Sequence, residues 1–443
     1  MAVSLARAAA LDALARVERR GEHADDVLHS RLLQPLSTQD RALATELVMG
    51  VLRWRRRLDQ ALSAASTQPL EKLDLEVLLA LRLAAYQLGF LERVPARAAV
   101  HQSVELVKRA RKRSAAPFVN AVLRRVARAA ADLRPGKSAK KDSTFLAANW
   151  SHPEWLVERW VRAFGQDAAA RLCESHQRVP QAALRLDDPA IESELAAEGV
   201  TLAPGALLAG ARRVAAGDIT ATRAFREGRV HLQDEASQLV AELVGAGQRI
   251  LDCCAAPGGK TAAMAARNPG AFVVASDASL ARMRTLQRRV RLPNVRLMVA
   301  DSLALPFAAE FDRVLADVPC SGTGTLARNP EIKWRLRVQD LAAFHRRQVV
   351  ILRAALQHVA AGGRLVYSTC SLEREENEAV IEEALSTLPE FTLLDCAAEL
   401  RRLREQGVLT WEDCASLTRG PFLRTLPGTH PCDGFFAALL QRS

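Results

Sequence analysis

The stretch Leu251–Thr261, LDCCAAPGGKT, decides how the rest of the chain is read. A short apolar run ends in Asp252 and breaks into small residues with Pro257, Gly258 and Gly259. It then gives way to TAAMAAR (Thr261–Arg267), whose composition favours helix. Gln248–Asp252 therefore predicts the end of a buried strand, followed by a tight turn and a helix. The glycines let the backbone approach a ligand closely, and the first helical turn offers unpaired N–H groups. Open α/β sheets hold nucleotide-like ligands in this way, beyond the carboxyl ends of their strands. A phosphate-binding loop of the G-x-x-x-x-G-K-[ST] type is excluded, because it needs glycine where the chain has Cys254.

The runs that follow repeat the pattern. FVVASD (Phe272–Asp277) ends in Asp277, nineteen residues after Gly258, where a ribose-binding carboxylate belongs. VRLMVAD (Val295–Asp301) ends in Asp301, and FDRVLADVPC (Phe311–Cys320) ends in Asp317-Val-Pro-Cys. Four successive strands thus deliver a carboxylate or thiol to one edge, and strand carboxyl ends converge on the ligand crevice. Arg282, one turn beyond Asp277, reads as a surface helix residue. From about Ala236 onward helix and strand patterns alternate, as in a doubly wound parallel sheet. Gln339–Ala361 predicts a long amphipathic helix ended by Gly362-Gly363, Arg364–Thr369 a fifth strand, and DGFFAALL (Asp433–Leu440) a last apolar strand.

Three stretches in this half, LDCCAAPGGKT, DVPCSGTGTLARNPEIKW (Asp317–Trp334) and YSTCSLEREENE (Tyr367–Glu378), resemble the signature motifs of S-adenosylmethionine-dependent RNA cytosine-5 methyltransferases. The chain as a whole resembles the RsmB/Sun family of these enzymes. DRALATELVMGVLRWRRRLD (Asp40–Asp59) and PFVNAVLRR (Pro117–Arg125) are similar to the NusB-like RNA-binding domain at the N terminus of that family, and HLQDEASQLV (His231–Val240) to the segment that leads into its catalytic domain. The resemblance implies a C-terminal α/β Rossmann-like class I methyltransferase with a seven-stranded sheet. It also implies S-adenosyl-L-methionine as cofactor, and as substrate 16S rRNA or a small-subunit assembly intermediate, methylated at cytosine 967.

Carbon 5 of cytosine is a poor nucleophile, so its methylation calls for a thiolate that adds to carbon 6. Two cysteines stand at strand ends, Cys320 after proline and Cys370 after threonine. DNA cytosine methyltransferases use the Pro-Cys thiol, whereas the RNA enzymes resembled here use the Thr-Cys thiol. The resemblance therefore makes Cys370 the nucleophile and Cys320 the group that assists breakdown of the adduct. It gives Asp317 contacts with the amino end of the cofactor and the amidine edge of the base, Asp277 the ribose hydroxyls and Asp301 the adenine amino group. The turn Cys254, Ala255, Ala256, Pro257, Gly258, Gly259, Lys260 takes the methionine and ribose. Two alternatives stay open: the same chemistry on tRNA or another rRNA site, and a non-catalytic RNA-binding assembly factor.

The 443 residues are too many for one ordinary domain. Residues 1–135 carry apolar residues at helical spacing and predict an all-α NusB-like bundle. Residues 136–144, rich in Pro, Gly, Ser and Lys, predict a linker, residues 145–235 a small α+β extension, and residues 236–443 the methyltransferase domain. Trp150, Trp155 and Trp160 read as packing residues.

Residues 1–150 hold 26 Lys+Arg against 15 Asp+Glu, whereas residues 151–443 hold 35 of each, so the basic excess is confined to the first third. A localised basic surface is the footprint of phosphate-backbone binding. Arg53, Arg55, Arg56 and Arg57, Lys108–Arg113, and Arg124 and Arg125 are its candidate contacts. The eight cysteines show no C-x-x-C spacing, so neither a disulfide framework nor a metal site is expected. Charged residues interrupt Met1–Arg20, and no apolar run reaches the roughly eighteen residues of a membrane span. The expectation is a cytoplasmic monomer.

Overall fold

The computed structural model describes residues 3–136, 142–308 and 310–443; residues 137–141, inside the expected linker, lie outside the described residues. The contacts divide the chain into two compact units, Met1–Val179 with Leu326–Arg335, and Pro180–Thr325 with Leu336–Ser443.

The first unit is helical: α1 (Leu5–Arg20), α2 (Ala24–Leu28), α3 (Thr38–Ala65), α4 (Leu75–Phe90), α5 (Ala96–Arg109), α6 (Ala116–Arg128), α7 (Ser143–Asn149), α8 (Glu154–Phe164) and α9 (Gln166–Ser175). Residues with weak backbone preferences start two of them. Ser37 caps α3 by accepting from the Asp40 N–H, and Asp142 caps α7 by accepting from the Phe145 N–H. Helix α4 is apolar on most of its circumference, with Leu79, Ala80, Leu81, Leu83 and Ala84 fully buried, so it runs through the middle of the bundle. Gly50 lets α3 close on it, since a Cβ there would sit 2.0 Å from the Tyr86 ring.

The partition by contacts differs from the one read in the sequence, because α7–α9 group with the bundle and not with the catalytic half. Trp150 packs on the bundle core beside Trp54, Arg57 reaches the Asn149 side chain, and Arg56 donates to the His152 carbonyl at 2.8 Å. Trp160 is fully buried, as a packing residue should be.

More distant in sequence, Leu326–Arg335 also belongs to this unit. Arg335 caps the end of α1, donating to the carbonyls of Val17, Gly21 and Glu22 at 2.6–2.8 Å. Lys333, buried, donates to the Arg53 carbonyl at 2.9 Å, and the Trp334 indole donates to the Leu52 carbonyl at 2.6 Å. Glu331 accepts from the Ala24 N–H at 3.2 Å.

The second unit opens with β1 (Ala183–Leu186), α10 (Ile191–Ala197), β2 (Thr201–Pro204), β3 (Ala211–Ala216), α11 (Arg223–Arg226) and β4 (Val230–Leu232). These four strands make an antiparallel sheet in the order β2-β3-β1-β4. The larger sheet follows: α12 (Glu235–Val244), β5 (Arg249–Asp252), α13 (Gly259–Arg267), β6 (Phe272–Asp277), α14 (Leu280–Arg289), β7 (Val295–Val299) and β8 (Phe311–Asp317). After β8 comes α15 (Ile332–Arg335), in the segment that joins the helical unit. The chain then continues through α16 (Asp340–Leu356), β9 (Val359–Thr369), α17 (Glu378–Leu385), β10 (Phe391–Leu394), α18 (Cys396–Glu405), β11 (Thr418–Arg419), β12 (Phe422–Arg424) and β13 (Phe436–Arg442).

Strands β7-β6-β5-β8-β9 are parallel neighbours, β13 lies antiparallel to β9, and β10 pairs with β13. These are the seven expected strands. The short strands β11 and β12 extend the sheet along the first half of β13, bringing the total to nine. The chain moves from β5 outward to β7, then returns beside β5 and moves the other way, so the topological switch point lies between β5 and β8.

One boundary differs from expectation. Helix α16 ends at Leu356, and Gly362-Gly363 lie inside β9 instead of stopping a helix. Gly362 has φ +69° where the β8–β9 register shifts, and a Cβ on Gly363 would meet the Ala360 carbonyl at 2.7 Å, so the glycines serve an irregular strand.

Candidate active site

The switch point is built from strand ends. Strand β5 delivers Asp252, fully buried; its Oδ2 accepts from the Thr261 hydroxyl at 2.7 Å, and among the described residues its Oδ1 has no side-chain hydrogen-bond partner. Burial pushes the Asp252 carboxyl up to about 7, partly offset by the Thr261 hydrogen bond. In the turn that follows, the Ala255 N–H donates to the Ser276 carbonyl at 2.9 Å, and the Ser302 hydroxyl donates to the Cys253 carbonyl at 3.0 Å, which ties the turn to the ends of β6 and β7. Cys254 lies 3.3 Å from the Ser302 hydroxyl, and burial pushes its thiol up to about 12. Gly258, at φ +106°, opens α13; a Cβ there would meet Val290 and Leu286 at 2.8 and 2.9 Å.

Asp277, buried at the end of β6, accepts from the Ser279 N–H at 2.9 Å through Oδ1. Arg282, exposed as the sequence reading has it, also bridges two site elements. Its Nη2 lies 3.3 Å from Asp277 Oδ2 and donates to the Ala256 carbonyl at 2.6 Å. Asp301 lies past the end of β7, exposed, and accepts from the Leu303 N–H at 3.0 Å. Asp317, at the end of β8, accepts from the Ser368 hydroxyl at 2.7 Å and from Lys260 Nζ at 2.6 Å, while Lys260 also lies over the Phe435 ring. Two residues expected to serve the ligand separately, Lys260 and Asp317, are therefore an ion pair.

Parallel pairing of β8 and β9 sets Asp317 opposite Ser368, which brings the loops after each strand side by side. Cys320 and Cys370, fifty residues apart in sequence, meet with their sulfurs 3.4 Å apart and both half-buried. The Cys320 thiol is held well above its ordinary range, first by its hydrogen bond with Cys370 and then by burial. Cys320 is accordingly a protonated thiol at neutral pH.

The arrangement suits a cofactor with a positive sulfur and a positive amino group. Three carboxylates edge the crevice, the buried Asp252 Oδ1 lacks a side-chain donor among the described residues, and the turn between them carries small residues. Residues 243–441 match the family described as 16S rRNA methyltransferase RsmB/F, and residues 4–128 match the NusB family. The chain is 35% identical to the probable ribosomal RNA small subunit methyltransferase B of Bacillus subtilis, over 98% of each chain. It is 32% identical to ribosomal RNA small subunit methyltransferase B of Vibrio cholerae, over 98% of this chain and 97% of that one.

The chain belongs to the ribosomal RNA small subunit methyltransferase B family.

A crystal structure, that of PH0851, shares the fold with a TM-score of 0.78 at 22% identity, covering 99% of this chain and 98% of that one. Like the other members of the methyltransferase B family, this chain is an S-adenosylmethionine-dependent RNA methyltransferase. No helix among its described residues is long and apolar enough to cross a membrane.

Several residues of the methyltransferase B site escaped the sequence reading. Asp252 was visible only as a strand terminus, and Ser302 and Ser368 carry no local signal. Glu376 stood inside the YSTCSLEREENE motif, and its position behind both cysteines depends on the folded sheet. The Arg53–Arg57 side chains, read as candidate backbone contacts, make hydrogen bonds inside the helical unit. Arg53 donates to the Ala327 carbonyl at 3.0 Å, Arg55 to Glu18 at 2.9 Å, and Arg57 to the carbonyls of Asp132, Leu133 and Arg134 at 2.6–2.9 Å. Of the other basic candidates, Lys108, Arg109 and Lys112 pair with Glu105, Asp12 and Asp74, and Arg125 donates to the Ala65 carbonyl. Arg111, Arg113, Arg124 and Arg128 are exposed and form no ion pair among the described residues.

Proposed function

We propose that this chain methylates carbon 5 of a cytosine in 16S rRNA, the cytosine 967 site of the family, through a covalent adduct between Cys370 and carbon 6. The observation that carries the reading is the pair of thiols, 3.4 Å apart at the ends of adjacent parallel strands, with Asp317 on the same edge. S-adenosylmethionine supplies the methyl group on a positively charged sulfur. Asp277 and the turn Cys254–Lys260 hold its ribose and methionine, and Asp301 its adenine.

Cys370 gives its proton to water and adds to carbon 6 through its sulfur, with the Cys320 S–H as hydrogen-bond donor 3.4 Å away. Addition to carbon 6 pushes electron density onto carbon 5, where it is taken up by the methyl group, while Asp317 orients the base by accepting from its exocyclic amine. Both Asp317 oxygens already accept one hydrogen bond, and each retains a lone pair for the base or the cofactor amine. Once carbon 5 carries the methyl group, its proton must leave. At that stage Cys370 is a thioether, a weak acceptor, so the first cause that holds the Cys320 thiol protonated is gone, and its S–H proton passes to water to leave the thiolate. Cys320 then serves as the base: the proton leaves carbon 5, the electron pair forms the double bond to carbon 6, and the sulfur of Cys370 departs.

The target base reaches this crevice unstacked, so an exposed loop nucleotide is the preferred substrate. A monomer acting on 16S rRNA or a small-subunit assembly intermediate, in the cytoplasm, is the matching setting.

The test is a denaturing gel of Cys320→Ala and Cys370→Ala mixed with substrate RNA and cofactor. A slowly resolving protein–RNA adduct is expected for Cys320→Ala and none for Cys370→Ala. The reverse pattern would make Cys320 the nucleophile, and an inactive wild type on 16S rRNA fragments would point to another RNA.

A further inference from the structure

Each cysteine is followed by a serine, and one buried carboxylate holds both serines. Oε1 of Glu376 accepts from the Ser321 N–H at 2.8 Å and from Gln348 Nε2 at 3.0 Å. Its Oε2 accepts from the hydroxyls of Ser321 and Ser371, which lie 3.1 Å from each other. Glu376 and Ser371 are fully buried and Ser321 nearly so, and Glu376 has no ion-pair partner among the described residues. Its charge is compensated by four hydrogen-bond donors, and those donors come from the two cysteine loops and the helix behind them.

The surrounding contacts converge on the same loops. Gln348 also donates to the Pro319 carbonyl at 2.9 Å, immediately before Cys320. Asn377 accepts from the Thr369 hydroxyl at 2.5 Å and donates to the Ser371 carbonyl at 2.9 Å, so it grips Cys370 from both sides. The Tyr367 hydroxyl donates to the backbone carbonyl of Glu376 at 2.7 Å and fixes the carboxylate's own position.

We propose that Glu376 is a positioning residue that sets the distance between the Cys320 and Cys370 thiols, and through that distance the rate at which the RNA adduct resolves. It is fully buried behind the two cysteine loops and presents no atom to the surface. The inference about adduct resolution rests on the two-thiol reading above; the inference about thiol spacing does not.

The experiment uses the full chain with two readouts. The first needs no RNA: the reduced protein is treated with diamide, which takes two electrons and two protons from a thiol pair, and the Cys320–Cys370 disulfide is followed by peptide mass. Glu376→Ala is expected to slow this cross-link at least tenfold. Glu376→Gln is expected to stay within threefold of wild type, because hydroxyls accept from an amide as readily as they donate to a carboxylate. The second readout is the lifetime of the protein–RNA adduct, expected to lengthen in Glu376→Ala with cofactor affinity by calorimetry unchanged within twofold.

Wild-type cross-linking and wild-type adduct lifetime in a folded Glu376→Ala would overturn the proposal. So would a Gln variant as impaired as the Ala variant, since that result assigns the effect to charge and not to spacing. Should Glu376→Ala fail to fold, the double variant Ser321→Ala with Ser371→Ala removes the same hydroxyl arms and is held to the same two outcomes. An adduct that survives Cys370→Ala sinks the two-thiol mechanism alone, and the diamide readout still decides the spacing.

Discussion

Two runs of charge stand out in this chain, Arg53–Arg57 on α3 and the acids that end β5, β6 and β8, and folding treats them in opposite ways. Successive residues on a helix point about 100° apart, so four arginines within five positions face several directions. Here they turn inward, toward Ala327, Glu18, His152 and the carbonyls of residues 132–134. Parallel strands, by contrast, all end on the same edge, so Asp252, Asp277 and Asp317 gather in one crevice although they span 65 positions of the sequence. Density along the chain is thus a weak guide to a functional cluster, and topological equivalence is a strong one.

Four variants bear on this contrast, and Asp317→Asn should have the largest effect. It removes the carboxylate shared by Lys260 and Ser368, and should lower methyl transfer by about 10²–10³-fold, read with labelled cofactor at saturating RNA. Retained activity would detach the strand-end acids from the chemistry. Next in size, Arg57→Ala leaves three carbonyls without their donor and should destabilise the protein by about 2 kcal/mol. Urea unfolding measures this, and a purely RNA-binding role for Arg57 predicts no shift in midpoint.

A third prediction concerns pH. Asp252 is raised from the usual aspartate range to about 7, so its folded form binds a proton that the unfolded chain has released. The stability linked to that proton is fully present below about pH 4, the unfolded value, and is lost as pH rises through about 7. Asp252→Asn, which stays neutral, should therefore gain stability relative to wild type between pH 5 and pH 8 in cofactor-free protein. Parallel urea curves at the two pH values would rule the effect out. The smallest effect is expected for Arg124→Ala with Arg128→Ala. Both side chains are exposed, so stability should hold while RNA affinity falls and the salt slope of binding drops by about 1 for each phosphate no longer neutralised.

Strands were legible where one kind of signal sufficed. Phe272–Asp277 appears with the bounds read from its apolar run, and the carboxylate at its end follows from the fold class. The boundary of α16 was not legible, because Gly362-Gly363 looks like a helix stop and is instead an irregularity inside β9, a distinction that only the β8 partner makes. Arg282 is exposed as read, but helical spacing does not reveal that its guanidinium reaches back to the Ala256 carbonyl. The grouping of α7–α9 and of Leu326–Arg335 with the bundle depends on hydrogen bonds between residues up to 318 positions apart, which no local pattern encodes.

That last segment bears on how the protein is born. The carbonyls at the end of α1 and on α3 wait for Lys333, Trp334 and Arg335, so the N-terminal bundle leaves the ribosome with part of itself still unmade. At bacterial elongation rates the intervening stretch from residue 180 to 325 takes on the order of ten seconds to synthesise. During that interval the bundle is an unfinished surface, and it is completed only when translation has passed Cys320.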